Sequence, residues 1–73
     1  MIGDRNMIRA GYHWDVIADF SCNASGVRIA TRKTRLGAER FAELFYKRNR
    51  PYVECMFIRR GHDMQIVEKR SRR

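Results

Sequence analysis

In residues 34–50, TRLGAERFAELFYKRNR, the apolar side chains Ala38, Phe41, Ala42 and Phe45 recur at i, i+3, i+4 and i+7, with Leu44 beside them. That period lays them along one side of an α-helix. Thr34 is a residue type that caps a helix start, and Pro51 denies Arg50 an easy helical conformation, so both ends are marked. Glu39, Arg40, Glu43 and Lys47 occupy the opposite face, with Glu43 four residues before Lys47 in the favourable order. Gly37 costs the helix about 1 kcal/mol relative to alanine, and its presence predicts a close approach of the helix to a sheet. Burial of Phe41, Leu44 and Phe45 is expected to contribute about 1.5–3 kcal/mol each before entropy is counted. A helix with one apolar stripe needs a second layer to bury it.

The flanking segments supply strands. Residues 12–20 alternate, with Trp14, Val16, Ala18 and Phe20 on one side and His13, Asp15, Ile17 and Asp19 on the other. SCNASG (21–26) has the composition of a turn, in which Asn23 and Gly26 can take positive φ. A second strand follows over 27–31, with Val27, Ile29 and Thr31 expected inward and Arg28, Ala30 and Arg32 outward. Residues 52–60 (YVECMFIRR) form the third strand. Its face is ambiguous, and Val53, Cys55 and Phe57 are assigned to the helix side. RGHD (60–63) reads as a tight turn and 64–68 as a short final strand. The expected fold is α+β: one antiparallel sheet of three to four strands, a single covering helix, and the order ββαβ(β) in one domain spanning 1–73. Residues 1–11 are expected to form a loose arm, with Met7 and Ile8 able to add an edge strand, and residues 69–73 a disordered basic tail.

One helix covers one side of such a sheet. The other side, carrying Ile17, Tyr52, Met56 and Ile58 in this register, is the expected contact surface for a partner protein, since contiguous apolar surface residues mark interaction sites. Edge strands offer a second route through backbone pairing.

Charge narrows the class of partner. Over residues 1–26 two arginines meet three aspartates, whereas residues 27–73 hold 14 basic and 5 acidic side chains, and the chain carries a formal +8. Arginine outnumbers lysine 13 to 3, which favours bidentate contact with phosphate or carboxylate. A field of this sign draws in nucleic acid or an acidic protein surface. The basic candidates are Arg28, Arg32, Lys33 and Arg35 around the second strand and helix start, Arg59 and Arg60 on the third strand, and Lys69, Arg70, Arg72 and Arg73 in the tail. Tyr12, Tyr46 or Tyr52 could stack on bases. No paired helix-turn-helix, GXXG loop or RNP-type aromatic signature is present. No apolar run approaches the length of a membrane span, and MIGDRNMIRAG lacks the apolar core of a signal peptide, so a cytoplasmic protein is expected.

Catalytic and metal chemistry find little support. Cys22, Cys55, His13 and His62 make a nominal Cys2His2 set, but their spacing matches no zinc module, and no metal or other cofactor is expected. His62 and Asp63 beside Arg59 and Arg60 form the one compact cluster with acid–base potential, which leaves a small ribonuclease as an alternative. No catalytic residue and no small-molecule substrate is expected, because an isolated histidine fixes no geometry.

In size, in the strand–helix–strand core of residues 27–58, in the start MIGDRN and in the arginine-rich end KRSRR, the chain resembles small phage-encoded regulators that bind host bacterial RNA polymerase. The resemblance implies a non-enzymatic protein that contacts the amino-terminal part of the β′ subunit near the RNA exit channel. There it would inhibit σ-dependent initiation and promote antitermination, with nucleic acid nearby. A sequence-tolerant DNA- or RNA-binding module is the main rival reading.

Overall fold

The computed structural model describes residues 13–70. Strands β1 (Trp14–Phe20) and β2 (Val27–Arg32) precede helix α1 (Arg35–Arg48), and β3 (Val53–Arg60) and β4 (Asp63–Lys69) follow it. The four strands form one antiparallel sheet in the order β2-β1-β3-β4, with α1 against one face. The α+β fold and the ββαββ order are those expected, with the fourth strand present. The arm at 1–11, Tyr12, and Arg72 and Arg73 of the tail lie outside the described residues. Among the described residues no helix is long and apolar enough to cross a membrane.

Both ends of α1 are closed by local chemistry. Thr34 has extended backbone angles, and its hydroxyl oxygen accepts the Gly37 N–H at 3.0 Å. At the other end Asn49 donates its backbone N–H to the Phe45 and Tyr46 carbonyls and its side-chain amide to Phe45 at 2.9 Å. The helix therefore stops at Arg48, and carbonyls that would be left without partners are satisfied before Pro51 is reached. Arg35 and Glu39 form the i, i+4 ion pair of this helix at 3.0 Å.

Ala38 and Ala42 are the fully buried residues of α1, and their small size lets the helix settle onto Val16, Ala18, Val53, Met56 and Ile58. Phe41, Phe45 and Tyr46 close the margin, with Phe45 stacked near Phe41 and edge-on to Phe20 at 6.3 Å between centroids. Leu44 does not join them. It is 47% exposed, because its position turns it off the alanine stripe toward solvent.

Three bulges decide which side chains face the helix. Between Val16 and Ile17 the β1–β2 register shifts, so Trp14 stands opposite Arg32, Val16 opposite Ala30, and Ile17 opposite Arg28. Directly opposed residues share a face, so Val27, opposite Ala18, faces the helix, and Ile29 packs on the core as expected. Past the bulge Ala30 and Arg32 lie on the helix side and Thr31 on the other, the reverse of the expected alternation. A second bulge sets Asp19 opposite Cys55 but Phe20 opposite Val53, leaving Glu54 as the extra residue. Val53 faces the helix as expected. Beyond Glu54 the alternation inverts, so Met56 and Ile58 turn to the helix and Cys55 and Phe57 away from it. The expected partner contacts Met56 and Ile58 are therefore fully buried core residues. A third bulge at Met56/Phe57 brings Ile66 opposite Phe57 and Met64 opposite Arg59.

The tail also starts later than expected. Lys69 is the last residue of β4, and Arg70 donates its backbone N–H to Glu54 and its guanidinium to the Glu54 carboxylate and the Arg50 carbonyl. The β1–β2 turn uses positive φ at Asn23 and Gly26, and the Gly26 N–H is held by the Asp19 carboxylate at 2.7 Å.

Candidate functional site

Two surfaces with different chemistry emerge from this arrangement. On the sheet face away from α1, the register aligns Ile17, Phe57 and Ile66 across β1, β3 and β4, with Met64 two residues from Ile66. Ile17 is buried within this row, Phe57 is half-buried, and Met64 and Ile66 are 47% and 58% exposed. Of the four expected partner contacts, then, Ile17 occupies the predicted face but is inaccessible, and Met56 and Ile58 belong to the opposite side. Tyr52 is exposed but precedes β3, where its N–H donates to the Asn49 carbonyl and its own carbonyl accepts from Ser21. The residues that replace them are Phe57, Met64 and Ile66. The Met-Gln-Ile alternation of residues 64–66 was the sequence signal for the last two.

The second surface lies where β1 begins and β2 and β3 end. There Trp14 stands opposite Arg32, Asp15 stands opposite Arg59, and Arg60 closes β3 on the same side as Trp14. The arginines here divide by what holds them. Arg59 is paired with Asp15 at 3.2 Å on the face away from the helix, and Arg35 with Glu39. Arg32 lies over the Phe41 ring at 4.6 Å, and Arg60 over the Trp14 ring at 5.2 Å. Arg32 also donates to the Thr31 carbonyl at 2.7 Å. Neither Arg32 nor Arg60 has an ion-pair partner among the described residues, although Asp63 is the cross-strand neighbour of Arg60. Lys33 is exposed just before the helix, and on the outer face of α1 Arg40 and Lys47 flank Glu43. Of the other predicted basic residues, Arg28 sits beside Ile17 on the open face, Lys69 is exposed at the end of β4, and Arg70 is engaged by Glu54.

The aromatic supports are the part that composition did not reveal. A cation over a ring face is attracted by the ring quadrupole while its N–H donors stay available, unlike one locked to a carboxylate.

The remaining chemistry is sparse. His62 is exposed in the β3–β4 turn with no hydrogen bond among the described residues to orient it. The described residues contain no group of three His, Cys, Asp or Glu side chains that could hold a metal ion. Cys22 is exposed and Cys55 buried, both as free thiols. Burial, and then the nearby Asp19 charge, push the Cys55 thiol above its ordinary value, which is the opposite of nucleophile activation. A groove beside Tyr46 is lined by Glu43, Lys47, Arg50 and Glu68, in which cations and carboxylates are mixed. No protein-family model, no curated protein and no solved structure matches this chain.

Proposed function

We propose that this protein is a non-enzymatic regulator that docks on bacterial RNA polymerase through the open sheet face and turns its basic end toward nucleic acid. The observation that carries the reading is the separation of the two surfaces. An apolar row of Phe57, Met64 and Ile66 lies on one face, and arginines without carboxylate partners lie at the end of the sheet. A small domain with one apolar and one cationic surface suits a site where protein and polyanion meet. The choice of polymerase, its β′ amino-terminal region, and a place of action in the host cytoplasm come from the resemblance to the phage regulators. Docked near the RNA exit channel, such a wedge disfavours promoter engagement by the σ-containing enzyme and hinders terminator hairpins on the elongating one.

The test is capture of polymerase from nuclease-treated bacterial lysate by the tagged protein, read by mass spectrometry. Retention by the wild type and loss with Ile66→Glu are expected. Loss of the wild-type complex after nuclease treatment removes the docking reading. In its place would stand a sequence-tolerant nucleic-acid module, a second reading favoured by the ring-supported Arg32 and Arg60. A ribonuclease centred on His62 requires an oriented imidazole, and intact RNA after incubation with the pure protein disposes of it.

A further inference from the structure

We propose that the basic end is a binding site for single-stranded nucleic acid, with Arg32 and Arg60 as its phosphate ligands and Phe41 and Trp14 as their supports. This rests on the preceding reading only in that the basic end faces nucleic acid.

The two arginines come from different strands and reach the same end of the sheet because Trp14, on the strand between them, sets their level. Each guanidinium is held by a ring rather than by an acid, at 4.6 Å over Phe41 and 5.2 Å over Trp14. Holding the planar group in place removes part of the entropy otherwise lost when a phosphate binds. Arg32 spends one donor on the Thr31 carbonyl, which steadies it further and leaves the rest of the guanidinium edge for an anion. By contrast, Arg59 and Arg35 are each paired with a carboxylate, Asp15 and Glu39, which offsets their charge toward a phosphate.

A single carboxylate or free phosphate satisfies one or two such groups. Here exposed Lys33 and Arg40, neither in an ion pair among the described residues, extend the positive charge from the sheet end onto α1 as far as Glu43. A polyanion is the ligand that engages several of these groups at once. The class of polyanion follows from Leu36, which is 58% exposed in the first turn of the helix between these cations. An apolar side chain among phosphate-binding groups gains contact from an unstacked base, which a single strand offers and a duplex withholds.

The experiment uses the full chain and reads both the anisotropy of a labelled short oligouridylate and the emission of Trp14, the one tryptophan in the sequence. Binding is expected to change Trp14 emission, because the cation over its ring becomes a phosphate ligand. Arg32→Gln and Arg60→Gln are each expected to weaken binding about tenfold and to reduce the slope of log affinity against log salt by about 0.7. Arg28→Gln makes the same charge change on the opposite face and leaves both readings unchanged. Asp63→Asn removes the carboxylate opposite Arg60 and tightens binding severalfold. Should Arg60→Gln unfold the chain, Arg60→Lys keeps the charge but not the bidentate fork, and weaker binding is still expected. Equal effects of Arg28→Gln and the two site variants overturn the proposal. So does equal affinity for a duplex of the same length, or for a polyglutamate peptide. Polymerase capture that persists in Arg32→Gln/Arg60→Gln while oligouridylate binding is absent from the wild type removes this site and leaves docking intact. The reverse pattern removes docking and supports this site.

Discussion

The Thr34 hydroxyl oxygen accepts the Gly37 N–H at 3.0 Å, and a Cβ added to Gly37 would stand 3.1 Å from that same oxygen and 3.7 Å from the Cβ of Arg32. Thr34→Ala is expected to lower stability by about 1 kcal/mol, as loss of a helix cap does. Gly37→Ala offers a propensity gain of about 1 kcal/mol, but with Thr34 present the new methyl crowds the capping oxygen, which must give by a few tenths of an ångström. The expected result is coupling: a gain well below that value with Thr34 present, and the full gain in the Thr34→Ala background, measured by urea unfolding of the four proteins. The sequence suggests that Gly37 marks helix-to-sheet contact. The structure places that contact at Arg32, the end of β2, and adds the Thr34 cap as the nearer constraint. The cysteines give a second prediction at this scale. Cys22 is exposed and Cys55 buried with a raised pKa, so Cys22 is expected to be alkylated much faster in the folded protein. For Cys55 the sign of the linkage follows from neutral thiol being favoured in the fold. Its contribution to stability is full below the ordinary thiol value and is lost as pH rises through the raised one. Cys55→Ala is expected to lack that part of the alkaline decline, read from unfolding midpoints against pH.

Among the elements, α1 was the most legible, because its period, its Thr34 cap and its Pro51 stop all agree with one another. The strands were legible as strands but not in their facing. Apolar residues run nearly unbroken through VECMFI, so periodicity gives no vote on orientation, and an extra residue at Glu54 lets Val53 and Met56 face the helix together. That bulge arises from pairing with β1, a tertiary fact, and it moved Met56 and Ile58 from the candidate surface into the core. Truncation therefore tests the register. Met56→Ala should cost about 2–5 kcal/mol by opening a cavity under α1. Ile66→Ala, on the exposed end of the other face, should cost well under 1 kcal/mol. The alanine stripe of the helix makes the complementary prediction. Ala42→Leu overfills a fully buried position against the sheet, with an expected loss of about 1–3 kcal/mol by thermal or urea unfolding.

At the scale of the whole molecule, the sign of the net charge was legible and its distribution was not. Sixteen cations face eight acids in the sequence, and among the described residues three ion pairs form, Arg35–Glu39, Arg59–Asp15 and Arg70–Glu54. Surface pairs such as these, two of them partly buried, contribute about 0–1 kcal/mol each, whereas the surplus cations repel one another in the compact state. Added salt screens attraction and repulsion alike, but the repulsive contacts outnumber the attractive ones, so the melting temperature should rise with ionic strength. Phosphate should raise it further than chloride at equal ionic strength, because an anion that binds the folded arginines and not the unfolded chain adds its own linkage. General exclusion of phosphate from the protein surface also stabilises a fold, and it acts on any variant alike. Arg32→Gln/Arg60→Gln separates the two contributions. If these arginines are the anion ligands, the excess of phosphate over chloride shrinks in the double variant while the chloride dependence persists. An unchanged excess would assign the effect to exclusion and leave the ring-supported arginines without an anion to bind.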